Sequence, residues 1–587
     1  MTKILGIDLG TTNSLVAHLT DDGPRVIPNA LGDALTPSVV GIDPKGDLLV
    51  GRAARELQVL YPERCAALFK RLMGSDQKTR LGDREFSPEQ LSSLVLRSLK
   101  HDAEQFLGEE INSAVITVPA YFNDRQRKAT IAAGQMAGFV VDRIVNEPTA
   151  AALAYGFHEN DAEKLLLIFD LGGGTFDVSI VEIFEGALEV RASSGESFLG
   201  GEDFTRTMAA RVLESAGLTY ERTEMEAPRM VARLLQQCEV AKRKLSAEAT
   251  TNVRLCSREG EFQDDSKQVP IERAVFEQWT RHLLSRVELP LRRVLGDARL
   301  TRHDIHEVIL VGGATRMPSV IELVTHLFGK EPKHRLNPDE VVALGAAVQA
   351  GLIARHAGVQ DMVVTDVCPF TLGVETSKMF GRDRRAGYFL PIIQRNTTIP
   401  VSRVERVCTV SPNQTEVIVN VFQGESRRVE GNLPLGQFEV TGLPRSPAGE
   451  EAVDIRFTYD LNGVLEVEAL VVSTKKKVTH LITKHAHGLS PKEVEAAVRQ
   501  MQDLKAVARE EAPNRFLLRR AERVFQELSL DARDMLSSLI DGFEGALQLN
   551  DREAIERHRE SLERFLDIYD TQPDDSEGAE DEDHADE

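Results

Sequence analysis

The chain has 587 residues, of which 28% are charged and 42% hydrophobic, and its formal net charge is -22. It is too long for one hydrophobic core, and its length predicts about three or four domains. The negative charge argues against a surface that follows nucleic-acid phosphates. No apolar run could span a bilayer, and the N-terminus enters a strand without a secretory leader, so we expect neither membrane insertion nor secretion.

The cysteines are scattered and lack C-x-x-C spacing: Cys65, Cys238, Cys256, Cys368 and Cys408. An odd, scattered set supports neither a zinc site nor a disulfide framework. We therefore expect a protein of the reducing cytoplasm.

The first predicted elements are a strand, a tight polar turn and a second strand, and this pattern occurs twice. The first copy is ILGIDLGTTNSLVA, from Ile4, and the second is LLIFDLGGGTFDVSI, from Leu166. In each copy an apolar strand leads into Asp, small residues and Thr before the next apolar strand begins. The repetition predicts two related halves that meet at a cleft.

The residues of these turns suit a phosphate chain and its cation. Glycine lets backbone N–H groups approach phosphate oxygens, while Thr11, Thr12 and Thr175 add hydroxyl donors. Two such turns can bind one phosphate chain from both sides. Asp8 and Asp170 would then face one Mg²⁺, largely through its retained waters, because this ion dehydrates reluctantly.

Two helix starts are predicted between the two turns. Asn123 precedes DRQRKATIAAGQMAG as an N-cap, and Pro148 follows Glu147 in a first helical turn. These starts place Arg127 and Glu147 near the cleft.

A third loop follows another apolar strand in EVILVGGATRMPSVIELV, from Glu307. Gly312 and Gly313 would admit a flat ligand close to the backbone, and a guanidinium such as that of Arg316 stacks well on a purine. We interpret this segment as an adenosine loop. Because the sequence has no G-x-x-x-x-G-K-[ST] pattern, a P-loop site is not expected.

The pattern changes along the chain and predicts five segments. Residues 1–358 alternate strands with helical patterns, which is typical of an α/β domain. After a linker at 359–366, short alternating strands predict a β-sandwich over 367–488. The helical period of 489–571 predicts a small bundle or lid, and we expect the acidic tail 572–587 to be disordered.

Apolar positions in two of these segments predict core faces. One helical stripe consists of Met535, Leu539, Phe543 and Leu547. In the sandwich, two sets alternate on either side of a turn: Val453, Ile455, Phe457 and Tyr459, then Leu465, Val467, Ala469 and Val471.

A series of short strings occurs in one order along the chain: IDLGTTNS, FKRLMG, VITVPAYFNDRQR, NEPTAAALAYG, DLGGGTFDVSI, LGGEDF, VGGATRMP, NPDE, NTTIP and LGQFEV. With these strings the chain resembles the DnaK-type chaperones of the heat shock protein 70 family. The resemblance implies a multidomain fold: an actin-like (ribonuclease H-like) α/β ATPase domain, a β-sandwich peptide-binding domain and a short α-helical lid. Shortened loops are similar to the divergent bacterial HscC type.

The resemblance implies an ATP-dependent chaperone of the cytoplasm and the stress response. It would bind and release extended hydrophobic segments of unfolded proteins, with hydrolysis coupled to peptide affinity. ATP or ADP, Mg²⁺ and also K⁺ are the implied ligands. A J-domain cochaperone is the implied partner and a monomer the implied state, while the trimmed segments near 74–86 and 250–270 leave a nucleotide exchange factor open.

The resemblance also implies catalytic roles. Lys70 would reach the γ-phosphate and the attacking water, although composition alone would make it a surface lysine. Glu147 and Asp177 would place that water or the metal shell, beside Asp170. For Thr175 we favour phosphate binding over slow self-phosphorylation.

The nucleotide-binding positions combine the three loops with a helical set, Glu239 to Ser246, whose spacing puts its members on one face. On spacing alone this face could equally be a charged, solvated one. In two places the chain departs from many relatives, at Asn13 and Ala314. The full set is Gly10, Thr11, Thr12, Asn13, Gly172, Gly173, Gly174, Thr175, Gly200, Gly201, Glu239, Lys242, Arg243, Ser246, Gly312, Gly313, Arg316 and Asp339.

The implied peptide-binding positions are Val374, Ser377, Val407, Val410, Val417 and Val419. On spacing alone, alternating valines are more often core residues. Ser377 stands where relatives have an apolar arch residue and Val410 where many have a smaller one, so we expect an altered bridge over the peptide. The lid is shortened between about 498 and 519, which predicts faster peptide release.

A relay between the domains is implied at Pro119, Arg127 and Asp366. The linker lacks the usual leucine run, so we expect coupling to depend on the docking of residues 362–364 into the nucleotide domain. Coupling of this kind requires each ligand to bind two global states differently.

Two other functions share the two-lobed phosphate-loop design. One is a sugar-kinase type of phosphotransferase, and the other is an actin-like filament protein. The segment after Asp366 argues against both, because neither needs an appended β-sandwich and lid.

Overall fold

A computed structural model describes these residues: 3–158, 164–184, 187–263, 266–333, 336–359, 362–380, 383–460, 463, 465–481, 512–525, 528, 530–549 and 552–571. The predicted tail, 572–587, and the start of the predicted lid, 489–511, lie outside these ranges. Among the helices of the described ranges, none combines the length and hydropathy that a bilayer-spanning segment requires.

The first part of the chain forms a mixed sheet with smaller sheets and helices around it. Its elements are β1 (Ile4–Asp8), β2 (Asn13–Thr20), β3 (Gly23–Ile27), β4 (Thr36–Pro37), β5 (Val40–Ile42), β6 (Leu48–Val50), α1 (Arg52–Leu60), β7 (Cys65–Ala66), β8 (Thr79–Leu81), β9 (Arg84–Phe86), α2 (Pro88–Leu107), β10 (Ser113–Val118), α3 (Asp124–Met136) and β11 (Val140–Asn146). The strand order of the main sheet is β11-β10-β1-β2-β3, with β4 beside β2.

A second mixed sheet follows, with the strand order β17-β12-β13-β14 continuing into the linker. Its elements are α4 (Glu147–His158), β12 (Lys164–Leu171), β13 (Phe176–Phe184), β14 (Ala187–Glu196), α5 (Gly201–Glu214), α6 (Tyr220–Glu226), α7 (Pro228–Ala247), β15 (Thr250–Arg254), β16 (Gln268–Glu272), α8 (Arg273–Ala298), β17 (Glu307–Val311), α9 (Pro318–Phe328) and α10 (Val341–Ile353).

The two sheets share one local design, as the repeated motif predicts. β1 pairs antiparallel with β2 and parallel with β10, and β12 pairs antiparallel with β13 and parallel with β17. Between the sheets, the apolar helices α4 and α10 pack closely, because a Cβ on Gly345 would overlap the Ala150 backbone.

The predicted N-cap of α3 is confirmed. Asn123 and Gln126 form a capping box, in which each side chain accepts a hydrogen bond from the backbone N–H of the other residue. This cap fixes the first turn of α3, which carries Arg127.

Antiparallel strands follow the linker strand β18 and form two further sheets, in the orders β20-β19-β23-β24 and β22-β25-β26-β27. The strands are β18 (Val363–Val367), β19 (Leu372–Phe380), β20 (Asp383–Ile393), β21 (Thr398–Ile399), β22 (Val401–Cys408), β23 (Glu416–Gln423), β24 (Leu433–Thr441), β25 (Ala452–Tyr459), β26 (Leu465–Val471) and β27 (Lys477–Leu481). The predicted alternation is confirmed, because Val453 lies opposite Val471 and both are buried in the shared core.

The linker strand joins the second sheet. Val363 and Val364 of β18 pair in parallel with Ala187 and Leu188 of β14. Met362 and Val364 pack against an apolar core of the α/β region, whereas the side chain of Val363 is exposed. Of the three residues expected to dock, Val363 therefore docks through its backbone only.

Three described helices end the chain: α11 (Ala512–Phe525), α12 (Leu530–Leu549) and α13 (Arg552–Thr571). Phe543 and Leu562 are fully buried between them. The core prediction for Met535 is wrong, because that side chain is 60% exposed and the neighbouring Leu536 is buried instead. The buried face of α12 is rotated by about one residue at this end, which spacing alone did not reveal.

Helix α11 lies against α1 of the first region rather than standing alone. A stripe of three arginines, one helical turn apart, faces acidic side chains on α1 and on the turn between β5 and β6. We call this contact the arginine stripe, and its pairs are Arg515 with Asp47, Arg519 with Asp43, and Arg523 with Glu56.

Candidate functional site

The turns of the two sheets meet face to face. A Cβ on Gly173 would overlap the Thr12 side chain, and a Cβ on Gly174 would overlap that of Thr11. Only glycine lets the second turn approach the first this closely. The two predicted phosphate turns therefore line one cleft from opposite sides.

This cleft contains about 540 Å³ of space, part of which is open to solvent. The predicted residues that line it are Asp8, Gly10, Thr11, Thr12, Asn13, Lys70, Glu147, Asp170, Gly172, Gly173, Thr175, Gly312, Gly313 and Asp339. The first two loops and the third loop, predicted separately, therefore lie at one site.

Lys70 is buried in the cleft wall. Leu68, with a φ of 59°, turns the chain into a short 3₁₀ segment, Phe69–Leu72, that directs Lys70 inward. The Lys70 Nζ lies 2.6 Å from the Glu147 Oε1, and the two side chains are 3% and 9% exposed. The interpretation of Lys70 as a surface lysine is therefore excluded.

Negative charge exceeds positive charge around this pair. Burial, reinforced by Glu147, raises the pKa of Asp8 to about 7 and that of Asp177 to about 8. Burial and Glu147 also raise the pKa of Asp170 well above its usual value. Because Lys70 offsets only part of this repulsion, the cluster favours the binding of a further cation.

A hydrated magnesium ion suits this donor set. Within the described ranges, no three His, Cys, Asp or Glu side chains lie close enough together to ligate a metal directly. Asp8 and Asp170 both line the cleft, so they can reach an ion through its water ligands. The residues present therefore fit Mg²⁺ held mainly through water.

Further contacts fix the carboxylates. The Thr117 hydroxyl donates to Asp8 over 3.1 Å, and the backbone N–H of Tyr121 donates to Asp177 over 3.1 Å. Asp177 does not line the cleft itself but lies behind it, fully buried. Pro119 lies directly after β10 on the same segment as these donors.

A chain of hydrogen bonds leads from this wall to the linker. Arg127 donates to Asn146 over 2.6 Å, and Asn146 donates to the Asp366 carboxylate over 3.0 Å. The hydroxyl of Thr149 donates to the same carboxylate oxygen over 3.1 Å. Two of the predicted relay residues are thus joined through Asn146, which immediately precedes Glu147.

Arg71 is a site residue that our sequence analysis did not identify. Its Nε donates to the Gly174 carbonyl over 2.9 Å, and its Nη2 lies 2.5 Å from Asp203. It therefore ties the first region to the second turn. The only signal in the sequence is a second basic residue beside Lys70.

None of the four predicted base-binding residues on α7 lines the cleft. Lys242 is buried, and its ammonium donates to the Gly201 carbonyl over 2.8 Å and pairs with Glu239 at 2.6 Å. Although burial opposes it, Lys242 and Arg243 hold the pKa of Glu239 to about 2. The Ser246 hydroxyl donates to the Lys242 carbonyl over 3.5 Å.

The remaining predicted base contacts flank the third loop. The Arg316 guanidinium is half exposed and donates to Asp339 over 2.7 Å and to Asn337 over 2.8 Å. Gly200 caps α5 beside the second turn. A role of Arg316 and the α7 set in base binding stays a prediction.

The predicted peptide-binding valines divide into two groups. Val374 and Val419 are buried in the sandwich core, whereas Val407 and Val417 are partly buried at its edge. Val410 is 40% exposed. The burial of these valines does not by itself distinguish a peptide-binding pocket from the sandwich core.

The protein has relatives along almost its whole length. A family model described as Hsp70 protein matches residues 4–573. The chain is 39% identical over 579 residues to "Chaperone protein DnaK" of Thermosipho melanesiensis, with 96% of this chain and 95% of that protein covered. It is 42% identical over 568 residues to "Chaperone protein DnaK 1" of a Synechococcus strain, covering 90% and 74%. "Chaperone protein DnaK" of Thermotoga petrophila is 41% identical over 566 residues, covering 93% of each.

Proposed function

The chain belongs to the Hsp70 family, and we propose that its nucleotide cleft controls how tightly its β-sandwich binds extended apolar segments of unfolded proteins. It is an ATP-dependent molecular chaperone, and its enzymatic activity is ATP hydrolysis. One observation carries the proposal: linker residue Asp366 is hydrogen-bonded to Asn146 and Thr149, on either side of the cleft residue Glu147 in the chain.

Hydrolysis would use the charge imbalance of the cleft. Asp8 and Asp170 would hold Mg²⁺ mainly through its water ligands, and the ion would supply positive charge against the phosphates. The Lys70 ammonium would partly break its ion pair with Glu147 and stabilise the charge that develops on the γ-phosphate. Glu147 would then be free to orient the attacking water.

The turns would hold the phosphates by hydrogen bonds. Thr11, Thr12 and Thr175 offer hydroxyl donors, and Gly10 and the glycines of the second turn expose backbone N–H groups. Asp177 would support the water shell of the metal from behind the cleft. K⁺ is a further cation that the remaining carboxylate charge can accommodate.

The base would lie toward the third loop and α7. Gly201 adjoins Lys242, so the α7 set lies beside the start of α5 rather than at the phosphates. We assign the ribose and purine to this side, between Gly313 and Lys242. Arg316 would reach the purine only by giving up part of its bonding to Asp339.

For the peptide, the proposal is a cleft at the edge of the sandwich. Val407 and Val417 are partly buried there and Val410 is exposed, as residues that meet a transient ligand must be. An extended peptide would gain backbone hydrogen bonds and place one apolar side chain between them. Ser377 and Val410 would form an altered arch.

The finer assignments remain part of this proposal. We propose the domain limits 1–358, 367–488 and 489–571, the HscC type, a cytoplasmic location and a mostly monomeric state. A J-domain cochaperone would act near Arg127, which lies at the linker contact. The need for an exchange factor is left open.

Peptide affinity measured by fluorescence anisotropy with ATP and with ADP tests this coupling. We expect ATP to weaken binding of an apolar peptide, and the peptide to stimulate hydrolysis. Asp366→Ala should abolish both effects while keeping basal turnover, because it removes the acceptor for Asn146 and Thr149. The control Asp22→Asn, at an exposed surface pair, should retain both effects. Equal peptide affinity with ATP and ADP in the unaltered protein would refute the proposal.

A further inference from the structure

Positive charge is concentrated on one hairpin of this acidic chain. Strands β19 and β20 place Lys378 opposite Arg385 and Met379 opposite Arg384. Lys378, Arg384 and Arg385 are all exposed, whereas the net charge of the whole chain is -22. Like charges on opposed strand positions repel, and an anion placed between them reduces that repulsion.

A second basic loop is held against the same hairpin by one aromatic ring. The Tyr388 side chain of β20 is buried, and the Arg428 guanidinium lies 4.5 Å from its ring centroid. The Lys378 ammonium lies 5.4 Å from the centroid and the Arg427 guanidinium 5.8 Å from it. The backbone N–H of Phe389 also donates to the Arg427 carbonyl over 3.0 Å. The basic groups therefore form one ordered surface.

Two carboxylates near the hairpin are engaged elsewhere, whereas Glu430 pairs with Arg428 of the basic surface over 3.6 Å. Glu375 accepts a hydrogen bond from Asn420 at 2.9 Å, and Glu425 pairs with Arg395 at 3.2 Å. Within the described part of the chain, neither Lys378 nor Arg384 forms an ion pair. Their charge thus remains available to a ligand.

The basic surface is continuous with the proposed peptide cleft. The Arg384 Nη1 lies 3.4 Å from the Oγ of Ser377, a proposed arch residue. Ser377 and Lys378 continue the same strand, β19, that carries Val374. A peptide that passes under the arch would therefore leave the cleft beside Lys378 and Arg384.

We propose that this basic hairpin selects client segments in which the apolar core is flanked by acidic residues. The proposal rests on the proposed peptide-binding function and specifies its substrate class. Acidic flanks pair with Lys378 and Arg384, whereas basic flanks are repelled, so the hairpin acts through specificity as much as through affinity.

Three fluorescent peptides with one leucine-rich core test this, flanked by Glu, by Gln or by Lys. Binding is measured on the full chain with ADP. We expect the Glu-flanked peptide to bind roughly tenfold more tightly than the Lys-flanked one at low salt, with the difference shrinking as salt screens the pairs. The double variant Lys378→Glu, Arg384→Glu should reverse the order, while the Gln-flanked peptide keeps its affinity.

A matched double variant, Arg403→Glu with Arg456→Glu, reverses the same charge at two exposed positions of the other sheet, on β22 and β25, and should keep the preference for Glu. Equal affinities of the unaltered chain for the Glu- and Lys-flanked peptides overturn the inference. So does a preference that appears only after removal of residues 574–587, because the acidic tail would then be the occupant. These failures differ from failure of the proposed function, in which no peptide responds to ATP.

Discussion

Two groups of buried charge in this chain differ in their balance. At the nucleotide cleft, Asp8, Asp170, Asp177 and Glu147 are accompanied by one buried partner, Lys70. Burial and mutual repulsion raise the pKa of three of these carboxyls. The acidic groups of the cleft therefore outnumber its basic groups, so that either protons or a bound cation must supply the missing positive charge.

At the contact between α11 and α1, each charge has a partner. Arg519 lies 2.6 Å from Asp43, whose side chain is fully buried, and Arg515 lies 3.0 Å from Asp47. The other carboxylate oxygen of Asp43 accepts backbone N–H groups of Lys45 and Asp47. These two hydrogen bonds fix the Asp43 carboxylate independently of its ion pair with Arg519.

The comparison separates a ligand site from a structural contact. Unbalanced buried charge is costly unless a ligand supplies the opposite charge, whereas a matched buried pair needs none. The cleft should therefore respond to substitution through catalysis and cation binding. The arginine stripe should respond through the position of α11.

The largest effect is expected at the unbalanced cluster. Lys70→Ala removes the ammonium that lines the cleft and leaves Glu147 buried without its partner. We expect nucleotide to remain bound but single-turnover hydrolysis to slow roughly a hundred-fold or more, as removal of a transition-state charge does. Rapid mixing with labelled ATP and Mg²⁺ measures both quantities.

Lys78→Ala is the matched control for Lys70, since Lys78 is an exposed lysine in the same region of the chain. It should hydrolyse ATP at the unaltered rate. If Lys70→Ala also keeps the single-turnover rate of the unaltered protein, Lys70 has no part in the chemistry. The excess of acidic over basic groups in the cleft would then not govern hydrolysis.

The next effect concerns the balanced contact. Arg519→Ala strands the buried carboxylate of Asp43, and loss of one partner of a buried pair costs about 3 kcal/mol. We expect α11 to leave α1 more often, with amide hydrogen exchange of α1 rising at least tenfold. ATP hydrolysis without peptide should stay within about twofold, because in the described part of the chain none of the stripe's three ion pairs includes a residue that lines the cleft.

Arg515→Ala is the graded comparison within the same stripe. The Arg515 pair is more exposed, at 28% and 18%, so its loss should cost about 1 kcal/mol or less and change exchange only a few-fold. Equal effects of Arg515→Ala and Arg519→Ala on α1 would show that burial does not govern this contact.

The repeated hairpin could be recognised from sequence because its signal is local. Strand alternation, glycine and threonine occur within about fifteen residues of one another, so pattern alone predicts both turns. The direction of Lys70 could not be read in this way. It depends on the turn at Leu68 and on Glu147, far away in sequence, and our assignment rested on family resemblance.

The arginine stripe, by contrast, shows a contact that the sequence predicts only in part. Arg515, Arg519 and Arg523 have helical spacing, which predicts a charged face. Spacing cannot identify the partners, because Asp43, Asp47 and Glu56 lie more than 400 residues earlier. The exposure of Met535 likewise depends on how α12 is rotated about its axis against its neighbours. The spacing of hydrophobic residues does not determine this rotation.

The smallest effect is the pH dependence of stability to which the unbalanced cluster contributes. Burial raises the pKa of Asp8 to about 7 and of Asp177 to about 8, so the folded state keeps protons that the unfolded chain has released. Stability is therefore greatest below the ordinary carboxylate pKa and is lost as pH rises through about 7 to 8.

Without nucleotide and Mg²⁺, we expect the thermal midpoint to fall by a few degrees between about pH 6 and about pH 8. Asp177→Asn should flatten this slope, and Mg²⁺ with ADP should reduce it by supplying the opposing charge. Arg515→Ala should leave the slope unchanged. A slope that Mg²⁺ with ADP does not alter would mean that the cleft is not the origin of the pH dependence.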